Sequence, residues 1–188
     1  MIKRNTIIFG TIGAIVVIVA GTRVAGMWGT SGSSSDATIK TYISTDLTTQ
    51  DLSKMTDTYA FEIAGNTQEG LLSKSASGKP VAGLAKSWTT SKDGLTWTFH
   101  LRKNLKWSNG TKLTAKDFVY AWRRTVNPKT ASQYAYIYSG IKNADAISAG
   151  TDKDVNSLGI VAKNASTVVV TLDSPQPQFA SLMSFPSF

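Results

Sequence analysis

The segment Leu95-Thr96-Trp97-Thr98-Phe99-His100-Leu101 alternates apolar and polar side chains without interruption. A repeat of two residues places its apolar side chains on one face of a β-strand and its polar side chains on the other. The dipeptide Asp93-Gly94 directly before it is a strong turn signal. The pattern therefore predicts a strand that is buried on one face and follows a tight turn.

A helix is predicted downstream of this strand. Thr114-Ala115-Lys116-Asp117 resembles a capping box in which Asp replaces the usual Glu. Asn127-Pro128 ends the helix, because proline disfavours helical backbone at the residue before it. One apolar face lies between these signals, formed by Ala115, Phe118, Val119, Trp122 and Val126.

The rest of the chain mixes short strands with short helices. Strands are predicted at Ala37–Ile43, Ser87–Thr89, Ile160–Ala162 and Thr167–Leu172, and helices at Asp57–Ala64, Ala131–Tyr138, Asn143–Ala149 and from Phe179 to Met183. Turn signals between successive strands favour antiparallel pairs. The fold class is therefore predicted to be α+β rather than a doubly wound sheet.

Residues 1–28 are typical of an export signal. Lys3 and Arg4 precede the uncharged apolar run Ile7–Ala20, which is shorter than the roughly 20 residues that a spanning helix needs. An uncleaved N-terminal anchor is the alternative. Residues 29–36 are rich in Ser and Gly and are interpreted as a flexible tether. There is no Cys before the tether to carry a lipid anchor, and either alternative places the body outside the cytoplasmic membrane.

Composition excludes several kinds of site. The absence of Cys and the single His rule out thiolate zinc, iron–sulfur, disulfide and multi-histidine sites, so we expect no metal and no cofactor. His100 could be a general base, but it lies on the polar strand face and the chain has no G-x-S-x-G motif. Asp152 and Asp154 offer too few oxygen ligands for a calcium loop. The residues alone thus support no particular catalytic or metal site.

The charge is strongly basic, at 20 − 12 = +8. Between Lys103 and Lys129 basic residues alternate with aromatic ones, as in a nucleic-acid groove. Phe118 and Trp122, however, belong to the apolar helix face, and an exported protein rarely meets nucleic acid. Attraction to an anionic cell envelope is therefore favoured, and no nucleic-acid partner is expected.

The segment Ser132–Tyr138 carries three tyrosines, Tyr134, Tyr136 and Tyr138. They cannot all point into one core from a short helix, so at least one is expected at a surface or groove. A tyrosine offers apolar area and a hydroxyl, which suits a binding cleft, although ordinary half-buried packing is the alternative.

Several longer segments resemble the oligopeptide-binding proteins of ABC importers, the family 5 extracellular solute-binding proteins. They are Glu69–Leu72, Gly83–Trp88, Asp93–Arg124, Asn127–Ser132 and Leu158–Ala162. The resemblance extends from about Ile39 to the end of the chain. It departs from the family pattern at Asn109, at Lys112 and in lacking the anchor Cys.

The resemblance implies the N-terminal part of a periplasmic-binding-protein-like two-lobe fold, with a mixed sheet and short helices. Residues 37–68 would form the first segment of lobe I, and residues 69–188 its accessory subdomain. The second lobe would be absent. The uncharged end Phe185–Phe188 also suggests truncation, since termini are usually polar. A chain with one wall of the cleft should bind ligand weakly or not at all.

The resemblance also implies binding without catalysis. An oligopeptide would lie in the cleft like an added strand, held through its main chain, and would be delivered to a membrane permease. The implied peptide contacts are Thr56, Asp57, Thr58 and Tyr134. Asp57 would meet a peptide amine or simply start a helix. The protein is expected to be a monomer at the outer face of the cytoplasmic membrane. Alternatives are an exported peptide sensor or adhesion module without transport, and a hydrolase that uses His100.

Overall fold

The computed structural model describes residues 42–44 and 46–188. The predicted export signal and tether lie outside these residues, as does most of the predicted strand at 37–43. The helices are α1 (Thr58–Thr67), α2 (Ala115–Val126), α3 (Ala144–Ser148) and α4 (Phe179–Leu182). The strands are β1 (Leu72–Lys74), β2 (Pro80–Ala82), β3 (Ala85–Thr90), β4 (Thr96–Leu101), β5 (Ile160–Asn164) and β6 (Thr167–Thr171).

The strands form two antiparallel sheets. β1 and β2 make a hairpin, and the other strands form one sheet in the order β3-β4-β6-β5. The α+β class is confirmed. The sheet was expected to be mixed, but every strand pair that the structure describes is antiparallel. Tight turns of a few residues join β3 to β4 and β5 to β6, and connections of that length allow only antiparallel neighbours.

The alternation in β4 sets the inner face of this sheet. Trp97, Phe99 and Leu101 are buried, whereas Thr96, Thr98 and His100 between them are half-buried on the outer face. Phe99 pairs with Trp88 of β3 and with Val168 of β6, so the core is continuous across three strands. This confirms the predicted strand and its orientation.

Helix α2 begins and ends where its sequence signals predict. The Asp117 carboxylate accepts hydrogen bonds from the N–H of Thr114 at 2.7 Å and from its hydroxyl at 3.0 Å. The helix ends at Asn127, whose side chain accepts from the N–H of Lys129 at 3.0 Å. The buried face of α2 contains all the predicted apolar positions, with Trp122 and Val126 each only 1% exposed.

The predicted helix over Ala131–Tyr138 is wrong in detail. The segment contains only a 3-10 turn at Ala135–Tyr138, preceded by another at Pro128–Thr130. Ala131 ends the earlier turn in the left-handed region, with φ of 54°. Residues other than glycine rarely adopt this backbone conformation, and a residue in this conformation cannot continue a right-handed helix.

Two hydrophobic clusters lie in the described part of the chain. The smaller one contains Met55, Ala60 and Ala64, all before residue 69, whereas the larger one begins at Leu71 and includes the sheet and α2. The predicted boundary between residues 68 and 69 stays a prediction. Among the described residues, none of the helices has both the length and the apolar character to cross a membrane.

The substitution Phe99→Ala tests the assignment of the core face. Phe99 is fully buried, so the truncation should lower the free energy of unfolding by about 3–5 kcal/mol. Thr98→Ala, one residue away on the outer face, should cost less than about 1 kcal/mol. Urea unfolding followed by tryptophan fluorescence measures both, and equal losses would contradict the assignment.

Candidate functional site

The predicted contact residue Asp57 is the N-cap of α1. One of its carboxylate oxygens accepts the N–H of Ala60 at 2.8 Å, and the other accepts the hydroxyl of Thr48 at 2.6 Å. The hydrogen bond from Thr48, which has the larger effect, and that from Ala60 hold the pKa of Asp57 below its usual range. Asp57 therefore starts the helix, which is one of the two roles left open by the sequence. A contact with a peptide amine stays a prediction.

Thr56 and Thr58 flank Asp57 and are exposed. They lie where an extended segment turns into α1, because the Asp57 backbone is still in the β region, with φ of −105° and ψ of 153°. The first N–H groups of any helix lack acceptors within the helix. This end of α1 therefore presents hydrogen-bond donors and threonine hydroxyls to solvent.

Tyr134, the fourth predicted contact, lies half-buried in an aromatic cluster with Phe61, Phe185 and Tyr136. Its ring centroid lies 5.2 Å from that of Phe61, 5.5 Å from that of Tyr136 and 6.3 Å from that of Phe185, to which it is nearly parallel. The rings of Phe61 and Phe185 also touch, at 5.0 Å between centroids. Such pairs are favourable beyond the apolar area that they bury.

The aromatic cluster joins two segments that are distant in sequence. Phe61 belongs to α1 and follows Thr58 by three residues, so both lie on one face of the helix. The contact between Phe61 and Tyr134 thus brings the first turn of α1 and the tyrosine segment together. No hydrogen bond connects Tyr134 directly with the Thr56–Thr58 segment among the described residues.

The three tyrosines have different environments, and at least one reaches the surface, as predicted. Tyr136 is 65% exposed, Tyr134 is half-buried and Tyr138 is fully buried. The Tyr138 hydroxyl donates to the carbonyl of Ser187 at 2.7 Å, and burial raises the pKa of this phenol. Tyr138 is therefore part of the core, while Tyr134 and Tyr136 reach the surface.

An ion pair that the sequence analysis missed fixes the segment before α1. Both Arg124 terminal nitrogens donate to the Asp51 carboxylate, at 2.7 and 2.5 Å, in a bidentate arrangement. The hydroxyls of Ser53 and Thr125 lie 2.8 Å apart beside it, buried. The hydrogen bond from Arg124 holds the pKa of Asp51 below its usual range. These contacts attach residues 51–53 to the end of α2, and so position Thr56–Thr58.

Other candidate residues do not join this site. His100 lies on the outer sheet face, opposite Ser87 and Thr167. Asp152 accepts the hydroxyl of Ser157 and the N–H of Asp154 within one loop, and these bonds lower its pKa. In the described ranges, no cluster of three or more His, Cys, Asp or Glu side chains could hold a metal ion.

The predicted contact residues lie outside both described cavities. A cavity of about 800 Å³ lies between α1, α2 and the segment Ser184–Phe188, but Thr56, Asp57, Thr58 and Tyr134 do not line it. They are also absent from a second cavity of about 670 Å³ beside α2. A ligand that binds these residues would thus lie outside both cavities.

Comparison with known proteins gives consistent matches. Residues 79–188 match the family described as bacterial extracellular solute-binding proteins, family 5 Middle. The dipeptide-binding protein of Lactococcus lactis is 45% identical over 158 residues, which are 84% of this chain and 28% of that protein. The periplasmic oligopeptide-binding protein of Escherichia coli is 49% identical over 121 residues, which are 63% of this chain and 22% of that protein.

A solved structure agrees with these relatives. The oligopeptide-binding protein of Listeria monocytogenes bound to peptide superposes with a TM-score of 0.72 at 37% identity, over 75% of this chain and 28% of that one. The chain thus spans about a quarter of the length of the relatives that it matches.

Asp51→Asn tests the role of the ion pair. The Arg124 and Asp51 side chains are 35% and 31% exposed, so we expect a loss of only about 1 kcal/mol of unfolding free energy near neutral pH. Because the pKa of Asp51 is lowered by folding, its contribution is present above the unfolded pKa of about 4 and lost as pH falls through the folded value.

Urea unfolding of wild type and Asp51→Asn at about pH 7 and about pH 3 measures this linkage. The gap between the two proteins should narrow at the lower pH. Asp173→Asn is the control, an exposed acid outside both described ion pairs. A gap that is the same at both pH values would contradict the assigned charge interaction.

Proposed function

The chain belongs to the bacterial extracellular solute-binding proteins of family 5, and on this premise we propose that it supplies part of the peptide-binding surface of an ABC importer. In this role an extracytoplasmic subunit captures oligopeptides and delivers them to a membrane permease. The names of the relatives support peptide ligands. Because the chain spans about a quarter of their length, the activity of the whole protein comes to this chain as a proposal.

The contact between Phe61 and Tyr134 is the observation that carries this proposal. Phe61, in the first turn of α1, packs against the Tyr134 ring with 5.2 Å between ring centroids, which supports a surface shared by these two segments. This packing contact supports the assignment of the start of α1 and Tyr134 to one peptide surface. Without it, Thr56–Thr58 and Tyr134 would be separate features of two distant segments.

The chemistry of this surface suits the main chain of a peptide. The donors at the start of α1 can bind peptide carbonyl or carboxylate oxygens, which the positive end of the helix dipole also favours. The Tyr134 hydroxyl can donate or accept, as either group of a peptide bond requires. Backbone recognition of this kind is independent of ligand side chains, and a broad peptide specificity follows.

Asp57 can serve both helix and ligand. A carboxylate has about four lone-pair positions, and Asp57 uses two of them for Thr48 and Ala60. The remaining positions can accept from a protonated peptide amine. The lowered pKa keeps Asp57 ionised at neutral pH, so it offers that amine a full negative charge.

We also propose the oligomeric state, the location and the domain division of the chain. The chain acts as a monomer outside the cytoplasmic membrane, without catalysis or a cofactor, and residues 69–188 form an accessory subdomain. A sensor or adhesion module would share this surface, and co-purification with a permease separates transport from those alternatives.

Tyr134→Phe tests the hydroxyl contact. The ring and its packing against Phe61 remain, so stability should be unchanged while peptide affinity falls by about fivefold to tenfold, the effect of one lost hydrogen bond. Calorimetric titration of the full chain with mixed short peptides measures it. Tyr136→Phe, in the same cluster but 65% exposed, is the control. Equal affinities for wild type and Tyr134→Phe would remove Tyr134 from the contacts.

Asp57→Asn separates the charge of Asp57 from its capping role. Asn is as good an N-cap as Asp, so the unfolding free energy should change by less than about 0.5 kcal/mol. Affinity for peptides with a free amino terminus should fall, whereas affinity for N-acetylated peptides should stay the same. If both peptide types bind the variant as they bind wild type, Asp57 acts only as a helix cap.

A further inference from the structure

A groove beside α2 has features that the proposed function does not use. The residues of the proposed peptide surface, Thr56, Asp57, Thr58 and Tyr134, do not line it. It has a volume of about 670 Å³ and lies between the solvent-facing side of α2 and the strand β5. We call it the edge groove. Lys116, Tyr120 and Arg123 contribute from α2, and Asn156, Val161 and Ala162 from the β5 side. Spacings of four and three residues put the α2 side chains in one stripe along the helix.

The edge groove is cationic. None of its lining residues is an Asp or Glu, and it includes Lys116, Arg123 and Arg124. Arg124 is neutralised by Asp51, and the other ion pair in the described part of the chain joins Arg102 and Glu69. Lys116 and Arg123 therefore have no carboxylate partner among these residues.

Arg123 is held in place without being neutralised. One terminal nitrogen donates to the Asn156 side-chain oxygen at 2.9 Å and the other to its backbone oxygen at 3.1 Å. The Arg123 Nε is buried and has no hydrogen-bond partner in the described residues. A guanidinium fixed by neutral oxygens keeps its full charge and loses little side-chain entropy when an anion binds.

Apolar side chains in the edge groove are unusually exposed. Tyr120 is 68% and Val161 is 51% exposed. They line the same groove as the cations. An occupant that fits must therefore combine negative groups with apolar groups at short intervals.

The outer edge of β5 supplies the third feature. β5 ends the sheet order β3-β4-β6-β5, so in the described structure no strand pairs with its other side. The N–H of Thr171 donates to the carbonyl of Gly159 at 2.8 Å, and Val161 pairs with Val169. Because backbone groups alternate along an antiparallel strand, those of Ile160 and Ala162 point away from β6, toward the open edge.

We propose that the edge groove binds an acidic extended segment of a separate protein, which adds as a strand to the outer edge of β5. Its backbone would pair with Ala162, and its acidic side chains would meet Lys116 and Arg123. Its apolar side chains, on the opposite face of the added strand, would cover Val161. Alternation of acidic and apolar residues satisfies all three features, since successive side chains of a strand point to opposite faces.

Two blocked hexapeptides serve as probes, acetyl-(Glu-Val)₃-amide and acetyl-(Lys-Val)₃-amide, each carrying a fluorophore. Blocking the termini removes the terminal ammonium and carboxylate charges that the proposed peptide surface would bind. Fluorescence anisotropy with the full chain should show binding of the acidic probe at least about tenfold tighter than that of the basic probe, weakening as salt is added. Equal binding of the two probes would overturn the proposal.

Variants locate the binding. Lys116→Glu should weaken binding of the acidic probe by about fivefold or more, whereas Lys79→Glu, the same charge change on an exposed lysine in the β1–β2 loop, should leave it unchanged. Ala162→Pro removes an outward N–H without removing a β5–β6 hydrogen bond, and should abolish binding. Equal effects of Lys116→Glu and Lys79→Glu would contradict the groove, even if Ala162→Pro fails to fold.

Hydrogen exchange distinguishes strand addition from attraction to a basic surface alone. The acidic probe should slow exchange of the Ala162 amide at least about fivefold, because a new strand accepts its hydrogen bond. Tyr134→Phe should not change this result, so failure here is separable from failure of the proposed peptide surface. An Ala162 amide that exchanges at the same rate with and without the acidic probe would overturn strand addition.

Discussion

The burial of one face of α2 against the inner face of the sheet is the constraint on which the rest of the structure depends. Trp122 and Val126 are almost completely buried, and the Trp122 ring lies edge-on to both Tyr138 and Phe188 at 5.6 and 5.2 Å. Burying a large apolar side chain contributes about 1.5–3 kcal/mol. An exposed ion pair contributes about 1 kcal/mol or less. Hydrophobic burial therefore determines where α2 lies, and polar contacts attach residues 51–53 to its end.

The apolar face, the C-terminal end and the solvent face of α2 each have a separate structural role. The apolar face forms the core. The end of the helix holds residues 51–53 through Arg124 and Thr125, which positions the start of α1. The solvent face carries Lys116, Tyr120 and Arg123 above the edge of β5. The proposed docking groove uses the solvent face of α2, and the proposed peptide-contact residues Thr56, Asp57, Thr58 and Tyr134 do not line it.

Local signals predicted the elements whose causes are local. Alternation identified β4, and a capping motif with an apolar stripe identified α2, because strand pleat and helix period act over a few residues. The same reasoning failed at Ala131, whose left-handed backbone interrupts an otherwise helical pattern. It could not find Asp51 as the partner of Arg124, since the two are 73 positions apart and no local pattern connects them.

The candidate site was predicted from family resemblance, not from periodicity. No pattern within Thr56–Thr58 or around Tyr134 indicates that the two segments meet, because their connection runs through Phe61 and Phe185. The uncharged segment Phe185–Phe188 was a usable signal, since its aromatic residues needed partners. The chemical roles of the four residues stay predictions.

The most direct test of a shared peptide surface is an NMR titration of the isotope-labelled full chain with trialanine, which detects weak binding residue by residue. If Thr56–Thr58 and Tyr134 form one peptide surface, their backbone amide signals should move together along one saturation curve. Signals that move only around the cavity between α1, α2 and Ser184–Phe188, or that fit different curves at the two segments, would contradict a shared surface.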